Sequence, residues 1–96
     1  MKYEVLVEVR LRPGIADPQG ATIERALPAL GFDGVDGVSV GKAFRLSIDA
    51  SDETAAQGRA VEMADRLLAN PVIEVSTVTV IGVATAVGST TGNGAR

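Results

Sequence analysis

Two short stretches restrict this chain more than anything else in it: Leu11-Arg-Pro-Gly-Ile-Ala-Asp-Pro-Gln-Gly20 and Leu68-Ala-Asn-Pro-Val-Ile-Glu74. Each concentrates proline, glycine and capping residues between runs of periodic hydrophobicity, so each marks a point where the backbone leaves one regular element for another. Ahead of the first stretch, Tyr3, Val5, Val7, Val9 and Leu11 alternate with Lys2, Glu4, Glu8, Arg10 and Arg12. That period of two predicts a half-buried strand, which Pro13-Gly14 ends. Leu6 puts an apolar side chain on the polar side, either by chance or because another subunit covers that surface.

The first stretch opens a helix. The Asp17 carboxylate suits an N-cap and Pro18 suits the first helical position, where its missing N–H costs nothing. Ile23, Ala26, Leu27 and Leu30 have the spacing of one buried stripe, with Gly31 as a stop. Pro28 removes the bond to the Glu24 carbonyl and predicts a kink or unwinding of the last turn. After the Gly31–Gly34 turn, Val38 and Val40 alternate with Ser39, and Phe44, Leu46 and Ile48 alternate with Arg45, Ser47 and Asp49. Gly41-Lys42 between them leaves two readings, a pair of strands joined by a hairpin turn or one long strand bulged at the glycine.

A second helix is expected from a Ser51 cap, through Asp52 and Glu53 in its first turn, to about Ala69. Its predicted buried stripe is Ala56, Ala60, Met63, Ala64, Leu67 and Leu68. Glu62 and Arg66 form an i,i+4 pair worth about 0.3 kcal/mol, and Gly58 weakens the helix. Asn70-Pro71 stops it, because the residue before proline is pushed out of the helical region. A last strand, Val72 to Ile81, carries apolar residues on both faces. From Gly82 onward Arg96 is the only charge, so residues 82–96 read as a mobile tail and residues 1–81 as one domain.

The resulting order, β-α-β-β-α-β, predicts an α+β, ferredoxin-like fold: an antiparallel sheet with both helices on one face. A domain this small buries only about 60–65% of its unfolded surface, and its open sheet face makes a homo-oligomer the expectation.

Composition narrows the chemistry. The 96 residues include no histidine and no cysteine, which removes thiolate and imidazole metal ligands, disulfides, and the commonest acid–base group and thiol nucleophile. A net charge of −3 with scattered bases, and only Tyr3, Phe32 and Phe44 as aromatics, argues against nucleic acid. No apolar run approaches the roughly 18 residues of a membrane span, and the first residues lack a signal-peptide core, so a cytoplasmic location is expected.

Individual motifs have plain readings. Gly41-Lys42 lacks the earlier glycine and following hydroxyl of a phosphate loop and lies between strands, so it reads as a turn or bulge. The helix start at Asp17-Pro18-Gln19-Gly20 resembles an anion site, but its own carboxylate occupies the amides. Asp33 with Asp36, and Asp52 with Glu53, read as solvated or capping carboxylates. Arg10, Arg12, Arg25, Arg45, Arg59 and Arg66 are candidates for partner contacts, as arginine is enriched at interfaces. No catalytic, cofactor or metal residue is expected. The residues singled out, as structural junctions or interface contacts, are Pro13, Gly14, Asp17, Pro18, Gly20, Gly41, Lys42, Asn70 and Pro71.

Taken together, Leu11-Arg-Pro-Gly14, Asp17-Pro-Gln-Gly20, Ala26-Leu27, Leu30-Gly-Phe32, Val38-Ser-Val-Gly-Lys42, Met63-Ala64 and Leu67–Glu74 resemble, in order and spacing, the PurS family of small subunits of phosphoribosylformylglycinamidine synthase. The resemblance runs from about residue 2 to residue 80. It implies a non-catalytic subunit in purine biosynthesis, where formylglycinamide ribonucleotide becomes the amidine at the expense of glutamine and ATP. It further implies a homodimer or homotetramer that helps the PurQ glutaminase and PurL synthetase subunits assemble and pass ammonia, with ATP and magnesium used by the synthetase. Pro28, Gly58 and a longer, less acidic tail depart from the family pattern. The rival readings are a small-molecule sensor of the ACT type, which has a similar element order, and a ferredoxin-like enzyme working with carboxylates and arginines alone.

Overall fold

The alternating N-terminal segment becomes the middle strand of the sheet. In the computed structural model, which describes residues 1–84, β1 (Lys2–Leu11) pairs antiparallel with β2 (Gly41–Asp49) on one side and β3 (Glu74–Val83) on the other. The register sets like against like: Val5 faces Leu46 and Val80, and Val7 faces Phe44 and Val78. Every second residue of β1 therefore enters one apolar layer. Val5 and Val7 are completely buried there and Val9 nearly so, each contributing about 1.5–3 kcal/mol of transfer free energy. The opposite face is polar, with Glu4 against Arg45 at 2.6 Å and Arg10 donating to Thr77 at 2.8 Å. Leu6 is half-buried among these polar chains.

α2 (Glu53–Met63) lies on the apolar face, mainly across β1 and β3. Ala56, Ala60 and Ala64, one turn apart, are fully buried. Their small side chains let the helix axis come close to the sheet. The cap is Asp52 and not Ser51: its carboxylate accepts the Ala55 N–H at 2.8 Å, because the helix starts one residue later than expected.

The expected stripe of α2 breaks at Leu67, which is 83% exposed. Residues Ala64–Leu68 form one turn of π-helix, closed by the Ala69 N–H on the Ala64 carbonyl at 2.9 Å. The wider turn delays the helix phase by about one residue. Leu68 therefore takes the core-facing place, packed against the buried cluster, and Leu67 turns outward.

α1 (Pro18–Ala26) begins at the Asp17 cap with Pro18 first, as expected, and ends before Pro28, which starts a single 3-10 turn, Pro28–Leu30. Gly31 closes that turn at φ 93°, a left-handed conformation that glycine adopts without steric cost. The expected burial of the stripe is not found: Ile23 is 41% and Leu30 70% exposed. Only α2 packs on the sheet, so the placement of both helices over one face is corrected to α2 alone. α1 is held elsewhere, against the segment leading into β2.

That segment is not a strand. Val38 and Val40 donate their backbone N–H groups to the carboxylates of Glu24 (3.1 Å) and Asp17 (2.9 Å). Donors spent on α1 are lost to a strand ladder. The described sheet accordingly has three strands. Gly41-Lys42 is neither hairpin turn nor bulge but the regular start of β2, with Gly41 opposite Arg10 and Lys42 opposite Val9.

At the other end, β3 begins at Glu74 rather than Val72, because Ile73 and Glu74 both donate their N–H groups to the Asn70 carbonyl and hold residues 70–73 in a turn. The strand runs to Val83, so Gly82 and Val83 belong to the sheet and not to the expected tail. Ala84 follows, its N–H donated to the Lys2 carbonyl at 2.9 Å, and residues 85–96 of that tail lie outside the described residues.

Candidate functional site

The two junctions that stand 59 positions apart in sequence meet at one end of the sheet. Arg12, the residue after β1, donates its backbone N–H to the Ile73 carbonyl at 2.8 Å. Its guanidinium closes on the Pro71 carbonyl with two further bonds, from Nε at 3.0 Å and Nη2 at 2.9 Å. Pro13 and Gly14 then reverse the chain, with Gly14 at φ 87° and the Ile15 N–H on the Arg12 carbonyl.

Asn70 organises the second junction. Besides the two amides on its carbonyl, its side-chain oxygen accepts the Val72 N–H at 3.1 Å, and its own N–H donates to the Glu74 carboxylate at 2.7 Å. Asn is suited to this role because its short side chain reaches the backbone two residues on. Pro71 takes no part as a donor, and its carbonyl is left for Arg12.

Asp17 ties the first junction to β2. One carboxylate oxygen accepts the Gly20 N–H at 2.8 Å and caps α1; the other accepts the Val40 N–H at 2.9 Å. These amides, Gly20 first and then Val40, hold its pKa below the ordinary carboxyl value, against a smaller opposing effect of burial. Two glycines permit the approach. Gly20 is buried with the Val38 carbonyl directly over its α-carbon, and a side chain on Gly41 would stand 2.6 Å from the Val9 carbonyl oxygen. Neither has space for a methyl group.

Between the end of β1, the Ala16–Gln19 turn and the start of β2 lies a cleft of about 370 Å³. Lys42 and Glu74 stand on its wall, their charges 3.8 Å apart, and the Lys42 ammonium also sits 5.9 Å from the centre of the Phe44 ring.

Nearly every polar group here is already partnered within the chain. Both oxygens of Asp17 are taken by amides, Glu74 is shared between Asn70 and Lys42, and Arg12 is spent on Pro71. The other arginines proposed for partner contact are engaged too: Arg10 with Thr77, Arg25 with Thr22, Arg45 with Glu4, Arg59 with the Asp49 carbonyl and Arg66 with Glu62. Asp33 and Asp36 are exposed, and Asp52 is a cap. Among the described residues no three acidic, histidine or cysteine side chains gather where a metal would need them, and no helix is long and apolar enough to cross a membrane.

Of the nine residues singled out in sequence, Pro13, Gly14, Asp17, Pro18, Gly20, Gly41 and Lys42 come together with Asn70 and Pro71 around this one end. Of the residues that join them, sequence reasoning missed Glu24 and Glu74, and it placed Arg12 only among the arginines for partner contact. A signal was present for Glu74, which follows Asn70 by four positions in a loop. None distinguished Arg12 from the other surface arginines.

The sequence model of the PurS family, described as phosphoribosylformylglycinamidine (FGAM) synthase, matches residues 4–82. The chain belongs to the PurS family. As a member it is a subunit of FGAM synthase, a ligase of purine biosynthesis. It is similar to the PurS subunit of Synechocystis, with 43% identity over 72 residues, 75% of this chain and 72% of that protein. The crystal structure of Methanocaldococcus jannaschii PurS superposes with a TM-score of 0.76 at 35% identity, covering 85% of this chain and 99% of that one. A chain in the structure of PurLQS from Thermotoga maritima gives a TM-score of 0.78 at 28% identity, covering 84% and 99%. The PurS match spans β1 through β3 and so takes in both junctions.

Proposed function

We propose that this chain is a non-catalytic assembly subunit of FGAM synthase: a cytoplasmic homodimer or homotetramer that brings a PurQ glutaminase and a PurL synthetase together so that ammonia passes from one to the other. The observation that carries this reading is the convergence of the two junctions into one end whose charged groups are bonded within the chain. Such a surface is held in place by its own internal bonds, and ordering in advance lowers the entropy lost on docking. The Thermotoga maritima relative, seen in a PurLQS structure, supports the same role. ATP and its magnesium then belong to the synthetase.

Reconstitution tests this. With PurL and PurQ of the same source, adding this chain should be required for glutamine-dependent synthesis of the amidine, while turnover on free ammonium should depend on it far less. Full glutamine-dependent turnover by PurL and PurQ alone would sink the assembly role. An amino-acid sensor would instead show saturable heat of binding when the isolated chain is titrated with amino acids.

A further inference from the structure

The segment between α1 and β2 repeats itself: Asp33-Gly34-Val35 is followed by Asp36-Gly37-Val38. Residues 31–37 are all exposed, and the function proposed above uses neither aspartate. An aspartate followed by glycine has a chemistry of its own. The main-chain nitrogen of the next residue can attack the side-chain carboxyl and close a five-membered ring, and glycine, with no Cβ, leaves that nitrogen unshielded. The attack is blocked where the amide is held in a hydrogen bond or has no hydrogen. Asp33 and Asp36 stand apart from the other aspartates in this respect. Asp17 precedes Pro18, which has no N–H. The Ala50 N–H, after Asp49, is bonded to the Met1 carbonyl at 2.9 Å. Glu53 and Arg66, after Asp52 and Asp65, carry long side chains and lie in helical turns. Gly34 and Gly37 donate their N–H groups to no acceptor among the described residues.

We infer that Asp33 and Asp36 are modification sites, where the chain isomerises spontaneously to isoaspartate through a succinimide. In the first step the glycine nitrogen forms a bond to the side-chain carboxyl carbon. The bond from that carbon to its hydroxyl oxygen breaks, and the hydroxyl leaves with the amide proton as water. In the second step water adds to the main-chain carbonyl carbon of the ring and the bond from that carbon to nitrogen breaks. The nitrogen keeps its new bond, and the former main-chain carbonyl becomes a free carboxylate. One water leaves and one returns, so mass is unchanged, one carboxylate stands in place of another, and solvent is the only co-reactant. The main chain is now longer by one methylene. At Asp36 this extra length falls two residues before Val38, whose N–H is bonded to the Glu24 carboxylate at 3.1 Å. The isomer displaces that amide and loosens the link between this segment and α1.

Ageing the full chain in neutral buffer at body temperature tests this. Trypsin, cutting after Arg25 and Lys42, releases residues 26–42 as one peptide in which Asp33 and Asp36 are the only aspartates and asparagine is absent. The Asn93-Gly94 pair, which would form the same ring, falls in a different peptide. After ageing, the 26–42 peptide should separate by chromatography into species of equal mass, and an isoaspartate-specific methyltransferase should label it from S-adenosylmethionine. Gly34 and Gly37 sit at φ 82° and 71°, where any side chain is strained, so the aspartates are the residues to change. Asp33→Glu with Asp36→Glu keeps both charges but demands a slower, six-membered ring, and should lose both signals. In the aged wild type the Val38 amide should lose protection from hydrogen exchange while the amides of β1 keep theirs. A peptide that stays single and unlabelled, or that splits equally in the double variant, overturns the modification. Unchanged protection at Val38 in isomerised molecules overturns the loosening of α1.

Discussion

The guanidinium of Arg12 grips the carbonyl of Pro71 through two hydrogen bonds, from Nε at 3.0 Å and Nη2 at 2.9 Å, and so locks the exit of β1 to the turn that precedes β3. The planar fork of arginine can place two donors on one oxygen, and a lysine ammonium cannot reproduce that geometry. Arg12→Ala should therefore lower stability by about 1 kcal/mol and Arg12→Lys should recover only part of it, since an exposed bond of this kind nets about 0.5–1.5 kcal/mol. Urea unfolding midpoints would measure both. If the two variants match the wild type, the grip contributes nothing.

Asp17 makes stability depend on acid. Its pKa in the folded chain is lowered from the ordinary 3.8 by the Gly20 and Val40 amides, so the folded state binds the proton less readily than the unfolded state. That contribution is fully present above the unfolded value and is lost as pH falls through the lowered folded one. Asp17→Asn should flatten the acid limb of the stability curve below about pH 4. It should also lower the melting temperature at neutral pH, because an amide has one acceptor oxygen for two amide donors and turns its own NH2 toward the other. Asp49 keeps part of the limb, its pKa lowered first by the hydrogen bond from the N-terminal ammonium.

Three glycines should respond differently to the same added methyl group. At Gly20 and Gly41 it would press on the backbone carbonyls of Val38 and Val9, and each Gly→Ala change should cost about 1–3 kcal/mol. Gly58 faces open space in the middle of α2. Gly58→Ala should stabilise by about 0.5–1 kcal/mol, as the unfolded chain loses freedom and the helix gains a better former. Thermal unfolding of the three variants side by side gives the comparison.

The π-turn at the end of α2 sets a contrast between adjacent leucines. Leu67 is in solvent and Leu68 packs against the core. Leu67→Ser should change stability by less than about 0.5 kcal/mol, whereas Leu68→Ala should cost about 1–2 kcal/mol, less than a fully buried leucine. Reversed costs in chemical denaturation would show that the helix continues in ordinary α phase.

Much of the fold was legible because local rules and tertiary packing agree along it. The period of two in β1 needed no partner to be recognised, and it is the strand whose alternate valines are buried. The Asp17 cap, Pro18 at the helix start, the break at Pro28 and the stop at Gly31 all follow from backbone chemistry within a few residues. Segments were misread where a distant group won. Val38 and Val40 alternate like a strand, yet carboxylates from a helix 14 and 23 residues earlier take their amides. The α1 stripe has the spacing of a buried face, but spacing does not say what will bury it.

The sequence by itself determined the types of the first strand, the two helices and the last strand, the chain reversals, the absence of histidine and cysteine chemistry, and, through the order of its motifs, the family. These are carried by residue identity and short-range geometry. Only the tertiary structure decided that the two junctions form one site, that Arg12 and not another arginine joins them, that Gly41 starts a strand, and that Leu67 yields its core place to Leu68. Each of these depends on a contact between distant residues or on a small change of helix phase, and neither is encoded in the identity of the residue that shows it.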